Sequence, residues 1–138
     1  MAAVRPGSNT KLEEDCETVL QCWLSMGGTE ATLKNDSDDV SKWKGVKVAQ
    51  TIGGRRVIKI EWPQCNLSGN IPAGIWKLSM LDKLDLWKNN LDGNIPEELG
   101  LLGELTQLDL GNNKLTGEIP ASLGKLDILK KLILREVR

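Results

Sequence analysis

Two aspartates, Asp85 and Asp109, are the residues whose type and spacing come nearest to catalytic chemistry. They stand 24 positions apart, at the same place in a repeated stretch of the chain. On adjacent parallel strands they would lie about 5 Å apart, which is near the carboxyl spacing of a retaining glycosidase. However, they are predicted on an open, shallow face beside lysines, and no Ser–His pair or phosphate-binding loop accompanies them. We therefore predict that the chain is not an enzyme and that it has no cofactor.

The composition argues against further classes of function. The chain contains no His, so it lacks the commonest general acid–base group and the commonest metal ligand, and we predict no metal site. Its net charge of -1 provides no broad field that would select nucleic acid. No run of apolar residues is long enough for a membrane span. The N-terminal stretch has no apolar segment typical of a signal peptide.

The three cysteines bear on the cellular compartment. Cys16 and Cys22 fall on one predicted helix, about 9 Å apart along its axis, which is too far for a disulfide bond. Cys65 would have to pair with one of them across the fold. An odd count without Cys-x-x-Cys spacing favours free thiols and a reducing compartment, so we predict a cytoplasmic protein. Glycosylation sequons at Asn35 and Asn66 keep a secreted protein as the alternative.

The elements that position the two aspartates follow from a repeat of 24 residues. Three full copies cover residues 55–78, 79–102 and 103–126, and a partial copy covers 127–138. Apolar residues recur in columns, one of which contains Ile60, Leu84, Leu108 and Leu132. One copy cannot bury these side chains alone, whereas stacked copies bury them as a continuous column.

Within each copy, the alternation of Leu84 and Leu86 with Asp85 predicts a short strand. The Gly and Pro residues of the return path argue against a long helix. Asn89 and Asn113 recur after the strand, and we expect their amides to point inward and bond the backbone of neighbouring copies.

This pattern resembles the leucine-rich repeat family, L-x-x-L-x-L-x-x-N/C-x-L. The 24-residue length and the segments "LSGNIP", "LDGNIP" and "LTGEIP" resemble its plant-type subclass. The resemblance implies an α/β repeat fold, a short right-handed solenoid with a parallel concave sheet. It also implies that the Leu-x-Gly-x-Ile-Pro stretch forms an additional short strand, and that the protein binds other proteins.

Residues 1–54 do not follow the period, and we predict that they cap the solenoid: a helix at about 10–26, a loop, and a hairpin strand at about 45–51. The segment Trp43-Lys44-Gly45-Val46 resembles the Trp-x-Gly-Val element of plant-type caps, but the Cys pair usual there is missing. Trp23 and Trp43 are predicted in the core of the cap, and Trp76 is predicted to pack under it. One helical face is predicted to carry the apolar residues Leu12, Cys16, Val19, Leu20, Trp23 and Leu24.

Strand residues that face outward on the concave side are free to vary, so they are predicted to carry partner recognition. Rows of basic and acidic residues run side by side there. They are either a solvated face whose charges compensate each other or a docking surface for a partner with complementary rows of charge. Trp87 is predicted near the centre, as an interface anchor or as local packing over a lysine stem. The predicted partner-binding residues are Lys59, Glu61, Lys83, Asp85, Trp87, Lys88, Gln107, Asp109 and Asn112.

From these features we predict a non-catalytic module that binds a protein or peptide through its concave face. Two alternatives stay open: a secreted plant-type recognition protein that is receptor-ectodomain-like or enzyme-inhibitor-like, and a scaffolding fragment of a larger signalling protein. The strand of the last copy would have a free edge, so either the chain is a piece of a longer array or two chains pair end to end as a homo-oligomer, which we favour. The residues predicted for this self-association are Leu132, Ile133, Leu134 and Arg135.

Overall fold

The structure is a computed structural model, and it describes residues 10–134. Two α-helices come first, α1 (Thr10–Ser25) and α2 (Glu30–Lys34). The strands are β1 (Val46–Thr51), β2 (Gly54–Glu61), β3 (Ser68–Asn70), β4 (Lys83–Asp85), β5 (Asn90–Asp92), β6 (Gln107–Asp109) and β7 (Lys131–Ile133). Short 3₁₀ helices occupy Val40–Lys42, Ala73–Lys77, Glu97–Leu101 and Ala121–Lys125.

The main sheet has the order β1-β2-β4-β6-β7. β1 is antiparallel to β2, and the other neighbours are parallel. The register aligns Ile60, Leu84, Leu108 and Leu132 in one row, as the repeat predicts. The first three of these side chains are fully buried. This confirms a repeat solenoid with a parallel sheet, whose core is the stacked apolar columns.

A second, smaller sheet forms where each copy reads Leu-x-Gly-x-Ile-Pro. β3 and β5 pair in parallel, and an isolated bridge joins Asn94 to Thr116 in the next copies. Gly93 has a φ of +72°, and a Cβ at this position would overlap the side-chain amide of Asn70. Glycine is therefore required there both by the backbone angle and by the close approach of the previous coil. The additional short strand implied by the family resemblance is confirmed.

The predicted asparagine ladder is also confirmed. Asn89 Nδ2 donates to the carbonyl oxygens of Trp62 and Leu86, at 2.9 Å each. Its Oδ1 accepts from the backbone N–H groups of Cys65 and Leu67, at 2.9 and 3.0 Å. One buried side chain thus satisfies four backbone groups of two coils, which is how the tight turn after each strand is kept inside the protein.

The Trp-x-Gly-Val segment joins the cap to the first coil. Trp43 is buried and its Nε1 donates to the Ser37 carbonyl at 2.9 Å. The next carbonyl, that of Lys44, accepts from Trp62 Nε1 at 2.6 Å. Gly45 has a φ of +67°, and any Cβ there would overlap the Glu61 carbonyl. The first three positions of the motif therefore each have their own structural reason.

Parts of the cap differ from the prediction. Leu24 is 40% exposed, whereas Cys22 is 3% exposed, because the buried face of α1 is rotated relative to the predicted apolar face. The segment predicted as a loop contains α2 and the first 3₁₀ helix. Asn35 ends α2 in the left-handed conformation, with a φ of 48°.

A buried ion pair attaches α1 to the first coil, and the sequence did not predict it. Arg56 Nε lies 2.8 Å from Asp15 Oδ2, and Arg56 Nη2 lies 3.0 Å from Asp15 Oδ1. The Val57 backbone N–H also donates to Asp15 Oδ2 at 3.0 Å. Asp15 raises the pKa of the Arg56 guanidinium through the hydrogen bond between them, so the guanidinium stays charged.

Candidate partner-binding face

The parallel strands bring most of the predicted concave-face residues together. Lys59, Lys83 and Gln107 are register partners on β2, β4 and β6. So are Glu61, Asp85 and Asp109 two positions later, which forms an acidic row beside a largely basic one. These side chains are half-buried, whereas those of Lys88 and Asn112, which follow the strands, are exposed.

The charges of this face are partly matched within the molecule. Lys83 Nζ lies 3.0 Å from Glu61 Oε2. Lys59 Nζ lies 3.5 Å from Asp82 Oδ2, a partner that the strand pattern did not indicate. Exposed pairs of this kind contribute about 0 to 1 kcal/mol each, so they are easily exchanged for contacts to a partner.

The two aspartates that suggested chemistry have a local structural task. Asp85 Oδ1 accepts from the Trp87 backbone N–H, and Asp109 Oδ1 accepts from the Gly111 backbone N–H, at 3.0 Å each. Each carboxylate therefore fixes the chain where its strand ends. The hollow beside them has a volume of only about 50 Å³, which is a small indentation and not a substrate pocket. Its lining residues are Lys83, Leu84, Asp85, Gln107, Leu108, Asp109 and Lys131.

Trp87 and Lys88 form a pair at the end of β4. Simple strand alternation would turn residue 88 inward, but Lys88 has a φ of 55° and is exposed. Its Nζ lies 5.7 Å from the centroid of the half-buried Trp87 ring, within the range of a cation–π contact. The equivalent positions Gln64 and Asn112 share the left-handed backbone. The structure thus places an aromatic ring and a cation side by side on the concave face.

The thiols offer no reactive group. Cys16, Cys22 and Cys65 are free. Burial raises the pKa of Cys16 to about 11 and that of Cys22 to about 12, and it also raises the pKa of Cys65. At neutral pH the nucleophilic thiolate is therefore scarce at all three. Among residues 10–134, no group of three or more Cys, Asp and Glu side chains is placed to hold a metal ion.

Two other predictions concern the ends of the solenoid. Trp76 does not pack under the cap: its side chain is 43% exposed, on a 3₁₀ helix beside α1. At the other end Leu132 is exposed, Ile133 and Leu134 are half-buried, and Arg135 lies outside the described residues. Self-association through these residues stays a prediction.

Comparison with known proteins identifies the repeat. A Leucine Rich Repeat family model matches residues 80–102 and 104–126. The structure of the BIR2 ectodomain from Arabidopsis thaliana is 32% identical, with a TM-score of 0.68, over 97% of this chain and 70% of that one. The chain belongs to the leucine-rich repeat family. A search of the curated proteins gave no match.

Other leucine-rich repeat structures agree in fold. The Arabidopsis receptor kinase HAESA, solved with the peptide hormone IDA and the co-receptor SERK1, is 30% identical over 88% of this chain and 21% of HAESA, with a TM-score of 0.73. The crystal structure of PEPR1-AtPEP1 is 26% identical over 90% of this chain, with a TM-score of 0.79. This leucine-rich repeat chain spans only 18% of that protein.

The comparisons also bear on the compartment. Several matched structures, BIR2 among them, are described as ectodomains. This favours the secreted alternative over the predicted cytoplasmic location. Within the described part of this leucine-rich repeat chain, no helix is both long and apolar enough to cross a membrane.

Proposed function

We propose that this leucine-rich repeat chain is a non-catalytic module that binds a protein or peptide through its concave face. One observation carries the proposal. The register of β2, β4, β6 and β7 sends the recurring residues into the core and gathers the residues that differ between copies on one outward face. Residues that vary without serving the core are available for recognition.

The form of the face favours an extended partner segment. Four parallel strands span about 15 Å between the outer two. A sheet of this width is too narrow for the about 800 Å² that a standard protein interface buries on each partner. The face offers rows of half-buried charged side chains and one aromatic ring, without a deep pocket. The HAESA structure supports the proposal, because it was solved in complex with a peptide hormone.

Trp87 is the residue on which this function is best tested. Once a partner has been identified, calorimetry should show that Trp87→Ala weakens its binding about thirtyfold or more, because a buried aromatic anchor contributes about 2 kcal/mol or more. Lys114→Ala is the matched control, since Lys114 is exposed and follows the corresponding turn of the next coil. Unchanged affinity in Trp87→Ala would move the site off the concave face.

A second candidate is a secreted recognition protein of the receptor-ectodomain or inhibitor type. The ectodomain neighbours favour it, and so does the exposure of Asn66 within its sequon. Asn66 Oδ1 accepts from Asn90 Nδ2 at 2.9 Å on the surface, a bond that a glycan at Asn66 Nδ2 leaves in place. Mass spectrometry of the native protein should find a glycan at Asn66, and full absence of glycan would count against secretion.

A further inference from the structure

A groove lies between the cap helix α1 and the 3₁₀ helix Ala73–Lys77, away from the concave sheet. Its volume is about 490 Å³, enough for a large side chain of a bound protein. We call it the cap groove. Its lining residues are Glu14, Glu17, Thr18, Trp76, Lys77 and Ser79.

Trp76 is the residue of the cap groove that the repeat does not explain. The equivalent positions in the next two copies are Gly100 and Gly124. At Gly100 a Cβ would overlap Ser122 of the following coil, so glycine there serves coil packing. Trp76 does not serve the core in its place, because its side chain is 43% exposed.

The other tryptophans underline this difference. Trp23, Trp43 and Trp62 are buried, and each Nε1 donates to a backbone carbonyl of the cap. For the Trp76 indole, no hydrogen bond is found within residues 10–134. An indole that is 43% exposed beside a helix is suited to contact a partner.

The charges around the ring indicate the partner's chemistry. Glu14 and Glu17 lie three residues apart on α1, hence on one face of the helix, and both are exposed. In the described part of the chain neither forms an ion pair within 4 Å, although Gln21 donates to Glu17 Oε1 at 3.3 Å.

Two cations lie close to these carboxylates. Arg56, which donates to Ser79 Oγ at 3.1 Å, is already neutralised by Asp15. Lys77 also lines the groove, so the two glutamates leave one negative charge in excess there. The cap groove thus combines the partly exposed indole of Trp76 with one negative charge in excess.

We propose that the cap groove binds an arginine or lysine side chain of a partner protein, as a contact separate from the concave face. The cation would stack on the Trp76 ring and pair with the Glu14 and Glu17 carboxylates. An apolar side chain would desolvate these carboxylates without compensation, and an acidic one would be repelled. The proposal does not depend on Trp87 or on any concave-face residue.

The test is a titration of the full chain with N-acetyl-arginine amide, followed by NMR of the indole N–H signals. Trp76→Gly, which restores the residue of the other copies, assigns the Trp76 signal. We expect a saturable shift of that signal, and none with the neutral isostere N-acetyl-citrulline amide. Glu14→Gln/Glu17→Gln should weaken binding about threefold or more. Glu97→Gln/Glu98→Gln, the same change of charge on the 3₁₀ helix Glu97–Leu101, should leave it unchanged.

Three results would overturn the proposal: an equal response to citrulline amide, an equal loss in both double variants, or a shift confined to Trp87. Trp76→Leu provides a second variant that keeps apolar bulk, with the Thr18 amide as the reporter. It should also weaken arginine binding about threefold or more, since the ring is the part removed. Thermal unfolding of each variant establishes that it is folded.

Discussion

At the scale of single residues, Asn89 shows how one side chain can determine a whole turn. Its amide satisfies two carbonyl oxygens and two N–H groups, all of them in the interior between two coils. Leucine columns alone would leave these backbone groups without partners, at a cost comparable to lost hydrogen bonds. The asparagine is therefore as necessary to the repeat as the leucines are.

Replacing Asn89 with alanine should destabilise the protein by about 2–4 kcal/mol, because the Trp62 carbonyl and the Cys65 and Leu67 N–H groups lose the side chain that they bond. Urea unfolding followed by circular dichroism measures this. Asn90→Ala is the matched control, since Asn90 is exposed and, within residues 10–134, its side chain bonds only Asn66. It should stay within about 0.5 kcal/mol of wild type. Equal losses in the two variants would contradict the role given to Asn89.

Residue-level prediction from sequence was uneven for a physical reason. The inward asparagines and the concave rows could be predicted because they repeat with the coil. The outward position of Lys88 was predicted, but the left-handed backbone that produces it was not, because a lysine rarely adopts that conformation. Asparagine at the equivalent position, Asn112, was the available signal, since Asn adopts this conformation more readily than most residues.

At the scale of elements, the cap and the first coil are joined by polar contacts as well as by apolar packing. Trp23 and Trp62 pack with ring centroids 4.9 Å apart. Beside them, Asp15 accepts from both the Arg56 guanidinium and the Val57 N–H. A carboxylate inside an apolar helix face was not predicted, because its partner stands 41 positions away in the sequence.

Breaking this pair should loosen the cap. Asp15→Asn leaves the Arg56 charge buried without a counter-ion, and we expect a loss of about 3–5 kcal/mol in the free energy of unfolding. The double variant Asp15→Leu/Arg56→Met removes both charges and should recover most of that loss. Urea unfolding of the single and double variants gives the comparison. If Asp15→Asn is as stable as wild type, the ion pair does not hold α1 on the first coil.

The helix α2 escaped prediction because it is too short to show a period. Its only signals are local: Thr29 Oγ1 accepts from the Thr32 N–H at 3.3 Å, and Asn35 ends it in the left-handed conformation. A helix of five residues with a capping residue at each end cannot be distinguished from a polar loop by sequence alone. Tertiary contact decides the outcome, since Leu33 is fully buried in the cap.

At the scale of the whole molecule, burial of the same repeat position changes along the solenoid. Leu84 and Leu108 are fully buried between coils, whereas Leu132 is 44% exposed. Within the described residues β7 pairs only with β6, and no described coil covers the apolar side of its coil. The sequence predicted this gradient, because a column is covered only where a further coil stacks on it.

The predicted self-association follows from that gradient. Leu132→Gln removes apolar surface from the open side of the last coil, so it should lower the apparent mass measured by light scattering at high concentration. It should also cost about 1 kcal/mol or less in stability, because the side chain is already partly solvated. Leu108→Gln, the same change in a fully covered coil, should cost about 3–5 kcal/mol. If wild type has the mass of a monomer at every concentration, the predicted self-association is wrong. If Leu132→Gln and Leu108→Gln reduce the free energy of unfolding equally, Leu132 is not on an uncovered side of its coil.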